Sequence, residues 1–370
     1  MGAAGLTRTV DYYPWRPDVI SLYDPTRDEL AALLDGEPSY RLDQLWSGLY
    51  EKRSTPEELT NLPKALRARL SEALPLSLTP VTESVSDDGQ TVKWLWKLHD
   101  GASIETVLMH YPDRSTVCVS TQAGCAMACG FCATGQAGFE RNLTVGEIVE
   151  QVVRASRVAA GGDTPRRVSN IVFMGMGEPL ANVERVWGSV ERIHADLGLS
   201  ARHLTISTVG IVPGIRRLAT ESLPVNLAVS LHAANDELRD ELVPINRRYP
   251  LADLYAACEA YLAEKNRRIS FEWALIDGVN DRPSDARELA MAARSLRAHI
   301  NLIPLNATPG WPTKGTPPDR VAAFRDSLES LGANATVRAN RGNEIDAACG
   351  QLRANHEISV SAPRRRPLPH

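Results

Sequence analysis

The sequence lacks a long apolar run, and its 370 residues include only six cysteines. No stretch approaches the roughly 18 consecutive apolar residues that a membrane-spanning helix requires. The N-terminal residues MGAAGLTRTV contain no apolar signal-peptide core, and they lack the Ser or Thr of a myristoylation site. We therefore expect a cytoplasmic protein that does not contact a membrane.

An excess of positive charge is also missing, since 41 Lys and Arg residues face 45 Asp and Glu residues and the net charge is −4. This balance gives no sign of a polyanionic partner, so any contact with nucleic acid requires a local basic surface. The hydrophobic fraction of 43% and the charged fraction of 23% are ordinary for a globular protein. The few cysteines argue against a disulfide scaffold and favour thiol chemistry in a reducing compartment.

Three of the six cysteines lie together in the segment GCAMACGFC, as Cys125, Cys129 and Cys132. Three sulfurs at this spacing can bind one metal ion or one small metal cluster, because the neighbouring glycines let the backbone bend tightly. Structural zinc and electron-transfer 4Fe-4S clusters normally have four protein ligands, so three ligands predict an iron left open to a substrate. This spacing is typical of radical S-adenosylmethionine (SAM) enzymes. The alternatives are core cysteines, or zinc completed by a distant residue such as His110.

Hydrophobic periodicity divides the chain into four parts. Residues 1–78 contain a lead-in and a small helical accessory module, whose basic residues could contact RNA phosphates or could equally form a solvated face. Residues 79–110 predict an antiparallel meander with turns at Asp88-Gly89 and Asp100-Gly101. Residues 111–352 alternate between strands and helices, which predicts an α/β fold with a partial TIM barrel of six β/α units. Residues 353–370 are expected to be a disordered basic tail.

The individual elements follow from the same patterns. Strands are predicted at 81–86, 91–98, 103–109, 116–120, 170–174, 203–207, 226–231, 269–275 and 300–303, with a further one at 335–337. Helices are predicted from Thr26 to Leu33, across 40–74 with starts at Thr55 and Pro63, and at 144–153, 183–197, 251–262 and 286–296.

Polar residues follow several of the predicted parallel strands. The second strand is followed by GMGEPL, which contains Gly177 and Glu178; the third and fourth end in Ser207 and in Ser230-Leu231-His232, and the sixth runs into Asn306. Because parallel strands end at the same side of a barrel, these residues predict a single ligand site. Taken one at a time, each is better explained as a satisfied polar residue at a strand end, and it is their shared position that favours one ligand.

The other three cysteines lie outside the cysteine loop. Cys349, within DAACGQL, is flanked by small residues, so its thiol is unhindered and could be alkylated. Cys118 lies in the strand before the loop and points away from the side chains of Val117 and Val119. Either could instead be a small buried hydrophobe, and that role is assigned to Cys258 on the apolar face of its helix.

Taken together, GCAMACGFC, GMGEPLAN, TISTVG, LAVSLHAAND, NLIPLN and RGNEIDAACGQL resemble the RlmN family of dual-specificity 23S rRNA and tRNA adenine-C2 methyltransferases. The resemblance extends from about Ser103 to Leu352. It implies one 4Fe-4S cluster on Cys125, Cys129 and Cys132, and two molecules of SAM per turnover. It also implies that SAM is contacted by Gly177, Glu178, Ser207, Ser230, Leu231, His232 and Asn306.

C2 of adenine is an electron-poor carbon that cannot attack the methyl group of SAM directly. The resemblance implies a ping-pong mechanism, in which the methyl group passes through the protein. Cys349 would become S-methylcysteine and deliver a carbon radical to C2 of an adenosine in the peptidyl-transferase centre or of adenosine 37 in tRNA. Glu105 would accept the proton, and Cys118 would release the product by forming a transient disulfide with Cys349. A monomer served by a flavodoxin- or ferredoxin-type electron donor is expected.

Two alternatives of different kinds remain at this point. A Cfr-like enzyme would use the same cysteines to methylate C8 of the rRNA adenosine, and a non-enzymatic iron-sulfur or zinc protein would only bind RNA. Because the chain has a net negative charge, electrostatic attraction of RNA would depend on basic residues at the barrel mouth, such as Arg247, Arg248 and Arg338.

Overall fold

A curved sheet dominates the computed structural model, which describes residues 21–161, 164–306, 308, 311–338, 342, 345–347 and 351–352. Twelve strands form within these residues: β1 Thr79–Ser86, β2 Thr91–Lys97, β3 Ser103–His110, β4 Ser115–Cys118, β5 Gln122–Gly124, β6 Phe139–Asn142, β7 Asn170–Phe173, β8 Leu204–Thr208, β9 Asn226–Ser230, β10 Ile269–Leu275, β11 His299–Pro304 and β12 Asn334–Val337. Ten of them make one sheet in the order β1-β2-β3-β4-β7-β8-β9-β10-β11-β12, and β5 pairs with β6 separately.

The same described residues form eleven α-helices. They are α1 Arg27–Leu33, α2 Tyr40–Tyr50, α3 Lys64–Ala73, α4 Ala133–Ala137, α5 Val145–Gly161, α6 Val183–Ala195, α7 Val212–Thr220, α8 Asp236–Leu242, α9 Leu251–Lys265, α10 Pro283–Ser295 and α11 Pro318–Ser330. Within this part of the chain, no helix is both long enough and apolar enough to span a bilayer.

Strands β1 to β3 pair antiparallel in sequence order, as the two turn signals predicted, and β3 also pairs antiparallel with β4. From β4 the sheet continues with parallel pairs through β7, β8, β9, β10, β11 and β12. The predicted α/β architecture with a partial barrel is confirmed, and the strand predicted near residue 335 is its seventh parallel member. The meander is therefore hydrogen-bonded directly to the first strand of the barrel.

Alternation along the strands gives the sheet an apolar outer face and a polar inner one. On β10, Phe271 and Trp273 are fully buried, and Trp273 stacks on Phe324 of α11 with ring centroids 6.4 Å apart. Their neighbours Glu272 and Ala274 line a cavity on the other face. The helices cover the apolar face because burying it supplies most of the stabilisation.

The N-terminal helices pack against α5 and α6. Arg192 of α6 donates to the backbone oxygen of Tyr23 at 2.9 Å and to the hydroxyl of Tyr50 at 2.6 Å. The predicted capping box of Thr26 and Glu29 begins α1. The predicted helix start at Thr55 gives only a single 3-10 turn at Pro56–Glu58, because the chain leaves the helical region at Leu59 and a new helix begins after Pro63.

Several elements were absent from the sequence-based prediction. They are the β5-β6 hairpin and the helices α4, α7, α8 and α11. Three of these helices have ten or fewer residues, too few for a clear periodic pattern. The predicted capping box of Thr144 and Glu147 does begin α5, where Glu147 accepts from the amide of Thr144 at 2.9 Å and donates its own amide to the Thr144 hydroxyl at 3.1 Å.

Candidate active site

The cysteine loop lies between β5 and α4 at the carboxyl end of the first barrel strand. Gly124 has φ 72°, and a Cβ there would overlap the carbonyl oxygen of Gly138. The amide of Cys125 donates to that same oxygen at 2.6 Å, and the amide of Cys132 donates to the oxygen of Cys129 at 3.1 Å. These bonds fold the loop back on itself, so that all three cysteines line one cavity.

The cavity has a volume of about 1000 Å³ when counted out to solvent at its mouth. It accommodates a nucleoside-sized ligand beside a metal cluster. Its wall is formed by the cysteine loop, by the ends of the parallel strands and by the loops that follow them; it includes Met127, Phe131, Thr134, Phe173, Met174, Gly175, Gly177, Glu178, Pro179, Ser207, Ser230, His232, Ile303, Leu305, Asn306 and Arg338.

Structural zinc would need the three thiols and a fourth ligand at one position. In the described part of the chain, no group of three or more His, Cys, Asp or Glu side chains is gathered around one metal position, as structural zinc requires. His110, the alternative fourth ligand, contacts the hydroxyl of Ser115 at 2.8 Å and is not part of the cavity wall. The zinc alternative therefore receives no support from the geometry.

Burial controls the protonation of these thiols. It raises the pKa of Cys125 to about 12, with a smaller contribution from the charge of Glu178, and it also raises the pKa of Cys129. Thiolate ligation therefore requires the positive charge of bound iron, so loading releases protons. Soft sulfur donors in a water-poor pocket are the donor set that an iron-sulfur cluster uses, and the residues present fit that group.

The loop after β7 brings its backbone close to the cavity. Gly177 has φ 101°, and a Cβ there would lie 2.5 Å from Cβ of Gln122. Only glycine fits this position without displacing Gln122, whose Oε1 accepts the amide of Glu178 at 2.8 Å. Gly177 itself lines the cavity, so the close packing on Gln122 fixes a stretch of backbone that a ligand can contact.

Glu178 is a buried carboxylate fixed by backbone amides. Its Oε1 accepts from the amide of Leu180 and its Oε2 from the amide of Val209, each at 2.9 Å. Burial raises the pKa of Glu178 to about 7, and the hydrogen bonds from Val209 and Leu180 oppose that shift. A cationic ligand group in the adjoining cavity would favour the ionised form, so the position suits an ammonium group.

His232 follows β9 with φ 58°, and its Nδ1 accepts the amide of Ala274 at 3.0 Å. Burial, reinforced by the charge of Arg239, lowers the pKa of His232 to about 3, so the ring is neutral. Because a backbone amide can only donate, the proton must lie on Nε2. His232 thus offers the cavity one neutral N–H donor, and Phe131 packs edge-on against its ring at 4.8 Å.

The remaining predicted cofactor contacts divide into two groups. Ser207, Ser230 and Asn306 line the cavity, and the hydroxyls of the two serines lie 3.5 Å apart. Leu231 is not part of the cavity wall: its side chain is fully buried, its amide donates to the oxygen of Glu272, and its own oxygen accepts from Arg239 at 3.0 Å.

Glu105 and Cys118 lie on the inner face of the sheet, and neither is part of the cavity wall. Cys118 is the register partner of Val107, two residues from Glu105 on the same strand face. Glu105 is only 3% exposed, so it is not a solvent-exposed strand carboxylate. Its Oε1 lies 3.3 Å from Nζ of Lys93, which is also buried. Cys118 is buried, as are its neighbours Val117 and Val119.

Cys349 lies outside the described residues, but described residues on both sides of it are anchored. The oxygen of Asp346 accepts from Nζ of Lys93 at 3.2 Å. The oxygen of Leu352 accepts from the hydroxyl of Thr134, the second residue of α4 and part of the cavity wall. The flanking residues therefore contact both the Lys93-Glu105 pair and the helix that follows the cysteine loop.

Arg239 is a site residue that the sequence did not reveal. Its guanidinium is fully buried and donates to the backbone oxygens of Val209, Ser230 and Leu231 at 2.6, 3.3 and 3.0 Å. Burial lowers the pKa of Arg239 to about 10, so it stays charged at neutral pH. It joins the ends of β8 and β9 beneath the cysteine loop, although the segment DELRDEL resembles an ordinary exposed helix.

Asn280 and Trp311 were also missed. The fully buried amide of Asn280 donates to the oxygens of His232 and Ala274 at 2.8 and 2.7 Å, so it holds together the ends of β9 and β10. Trp311 packs against the cysteine loop, where a Cβ on Gly130 would lie 2.5 Å from the indole ring. No motif in the sequence indicates either role.

Of the basic residues named for the barrel mouth, only Arg338 lines the cavity. Arg247 and Arg248 are exposed outside it. In the N-terminal helices, Arg41 and Arg67 donate to backbone oxygens of Asn61 and Glu57, whereas Lys52 and Lys64 are exposed.

Comparisons with known proteins agree with this geometry. Residues 119–290 match the radical SAM superfamily model. A probable dual-specificity RNA methyltransferase RlmN from Chloroflexus aurantiacus is 51% identical over 355 residues, covering 92% of this chain and 94% of that protein. Its counterpart from Salinispora tropica is 52% identical over 330 residues, covering 86% of this chain and 88% of that protein.

A solved structure gives the same result. The crystal structure of a radical SAM methyltransferase from Sphaerobacter thermophilus is 51% identical, covers 91% of this chain and all of that one, and superimposes with a TM-score of 0.88. Together with the cysteine loop and the cavity it lines, these similarities identify the chain as a radical SAM methyltransferase that belongs to the RlmN family of dual-specificity RNA methyltransferases.

Proposed function

We propose that this enzyme methylates C2 of a specific adenosine in the peptidyl-transferase centre of 23S rRNA and of adenosine 37 in tRNAs. The dual-specificity name of relatives about half identical over most of the chain supports RNA substrates of two kinds. The observation that carries the proposal is the anchoring of Asp346 at Lys93 and of Leu352 at Thr134, on either side of Cys349.

Cys125, Cys129 and Cys132 would hold the 4Fe-4S cluster. Gly177 and Glu178 would bind the amino group of SAM, and Ser207, Ser230, His232 and Asn306 would contact the rest of it. When bound, these groups supply the methyl carbon and the radical chemistry. We assign two SAM molecules to each turnover, because the methyl group passes through the protein before it reaches RNA. A flavodoxin- or ferredoxin-type donor would supply electrons to the monomeric enzyme.

Cys349 would carry the methyl carbon as S-methylcysteine. The radical chemistry that SAM and the cluster would supply would remove one hydrogen atom from this S-methyl group, so that its carbon can bond to C2 of adenine, and the unpaired electron left on the adduct would return to the cluster. The conjugate is released when the Cys118 thiolate attacks the sulfur of Cys349. A sulfur-sulfur bond forms as the sulfur-carbon bond breaks, and its electron pair goes to the carbon, which takes up a proton to become the methyl group. Glu105 accepts the proton that leaves C2. An external dithiol must then reduce the disulfide. The burial of Glu105 beside Lys93 supports its role.

Nucleoside analysis tests the proposal. Ribosomal and transfer RNA are isolated from cells with and without the gene, digested by nucleases and analysed by mass spectrometry. We expect 2-methyladenosine in both RNA classes only when the gene is present. Finding 8-methyladenosine in its place would assign the enzyme to the Cfr-like alternative, and finding no methyladenosine in either class would refute the proposed substrates.

A further inference from the structure

Glu272 is a buried carboxylate in the cavity wall to which neither the cysteine loop nor the predicted contacts assign a role. It lies in the middle of β10, where its register partners are Ser230 on β9 and Asn301 on β11. The residue is only 3% exposed, yet it lines the cavity together with Ser230 and Arg338. A carboxylate in this position needs hydrogen-bond donors.

The two oxygens of Glu272 have different surroundings. Oε1 accepts from the hydroxyl of Ser270 at 3.1 Å and from Nδ2 of Asn301 at 2.8 Å, which fixes the plane of the carboxylate. Oε2 is buried and has no hydrogen-bond donor among the described residues. The guanidinium of Arg338 lies 4.0 Å from it, which is within ion-pair distance but beyond hydrogen-bond distance.

An ionised carboxylate accepts hydrogen bonds and donates none, so the missing partner must be a donor. A buried acceptor without a donor is destabilising, which favours a ligand that supplies one. Arg338 already balances the charge of Glu272, whereas no described residue places a comparable cation beside Glu178. The ammonium end of a ligand therefore suits Glu178, and a neutral O–H group suits Glu272.

The neighbours of Glu272 define the shape of that group. The hydroxyls of Ser230 and Ser207 lie 3.5 Å apart on the adjoining strands, in the same wall of the cavity. A carboxylate oxygen beside serine hydroxyls can accept from one ligand hydroxyl while a serine bonds its neighbour. Two adjacent hydroxyls of this kind occur in the ribose of a nucleoside.

We infer that Oε2 of Glu272 accepts a hydrogen bond from a ribose hydroxyl of SAM, and that Glu272 and Ser230 bind the nucleoside end of the cofactor. This assignment rests on the proposed function, because it requires SAM in the cavity. Glu272 thereby fixes the sugar at the opposite end of the ligand from the ammonium group. Its side chain is held ready by Ser270 and Asn301 before SAM arrives.

The test measures SAM affinity of the cluster-loaded enzyme by anaerobic calorimetry. Glu272→Gln keeps the size of the side chain but removes the charged acceptor, so SAM should bind about 10-fold or more weakly. SAM analogues that lack the 2′- or the 3′-hydroxyl are measured alongside. The analogue that lacks the contacted hydroxyl should bind the variant and the wild type with similar affinity. Glu241→Gln, an exposed glutamate on α8, serves as the matched control and should bind SAM as the wild type does.

Two results would overturn the inference: unchanged SAM affinity in Glu272→Gln, or an equal loss of affinity for SAM and for both analogues. If Glu272→Gln fails to retain iron, the wild-type measurements alone test the inference. Equal affinity of the wild type for SAM and for both analogues would contradict a hydroxyl contact. Weakened RNA binding with unchanged SAM binding would assign Glu272 to the substrate instead. Failure of the proposed function is distinct, because the wild type itself would then bind no SAM or form no 2-methyladenosine.

Discussion

Nζ of Lys93 lies 3.3 Å from Oε1 of Glu105, and both side chains are almost completely buried on the inner face of the meander. The two residues are twelve positions apart in sequence and lie on paired strands, β2 and β3. Lys93 also donates to the oxygen of Asp346, so one ammonium group joins the proposed proton acceptor to the segment that precedes Cys349.

Breaking this pair should destabilise the fold strongly. Lys93→Met leaves Glu105 buried without its cation, which should cost about 3–5 kcal/mol in the free energy of unfolding. The double variant Lys93→Met, Glu105→Gln should be much more stable than the sum of the two single changes allows. Urea denaturation of the four proteins measures the coupling. Arg325→Met, which breaks the exposed pair with Asp326, is the control and should leave the midpoint unchanged. Additive single changes would show that the pair is not coupled.

Gly124→Ala should prevent cluster assembly. The new Cβ would overlap the oxygen of Gly138, which accepts the amide of Cys125, and alanine disfavours the positive φ of this position. We expect iron and sulfide after anaerobic reconstitution to fall several-fold below wild type. Gly161→Ala, at an open position at the end of α5, is the matched control and should load fully. Normal iron content in Gly124→Ala would mean that the loop tolerates a different backbone path.

The neutral His232 predicts a stability difference in acid. The folded-state pKa of His232 is about 3, far below the ordinary value of 6.5. Between these two values the unfolded chain binds a proton at this residue and the folded chain does not. Its contribution to stability is therefore complete above about pH 6.5 and decreases by up to about 1.4 kcal/mol per pH unit below that value. His232→Gln keeps an acceptor for the amide of Ala274 but does not titrate.

The stability difference between wild type and His232→Gln should thus shrink as pH falls from 6.5 to 4, as measured by urea unfolding at each pH. Subtracting the stability of His232→Gln from that of the wild type cancels the contribution of Glu178, because both proteins contain that residue. That residue acts in the opposite direction, because its raised pKa of about 7 stabilises the fold at low pH and the contribution is lost as pH rises from 4.5. A constant difference would contradict the neutral, buried state of His232.

Replacing Cys349 and replacing Cys118 should give distinct phenotypes. Cys349→Ala should form no methylated RNA, because the proposed methyl carrier is absent. Cys118→Ala should accumulate a covalent adduct of protein and RNA, since no thiol remains to release it. Denaturing gels with labelled RNA detect the adduct. Cys258→Ala, at a fully buried position in α9, is the control and should form product without an adduct. Product formation by Cys349→Ala would overturn its role as carrier.

Local patterns were sufficient for much of the fold. The strand at residues 269–275 was predicted with the bounds it has, and the capping boxes of Thr26 and Thr144 begin their helices as expected. These signals are visible because both partners lie within a few residues. Strand alternation alone predicted that Cys118 points away from Val117 and Val119, but it did not specify which face of the sheet Cys118 lies on.

Long-range partners were not predictable in this way. Arg239 lies in a short helix with charges on every side, and only the folded loops place three backbone oxygens around its guanidinium. The contact of Glu272 with Asn301 depends on the register of β10 and β11, which no local pattern specifies. For the same reason Lys93 was not recognised as the partner of Glu105.

The meander and the barrel share one continuous hydrogen-bonded sheet, in which β3 pairs with β4. A fragment cut before residue 111 would leave the first barrel strand with a bare edge of unpaired amides and carbonyls. It would also remove Glu105 from the vicinity of Cys118. Such a trimmed protein would be prone to self-association, so expression of the barrel for crystallography or engineering must retain the three strands that precede it.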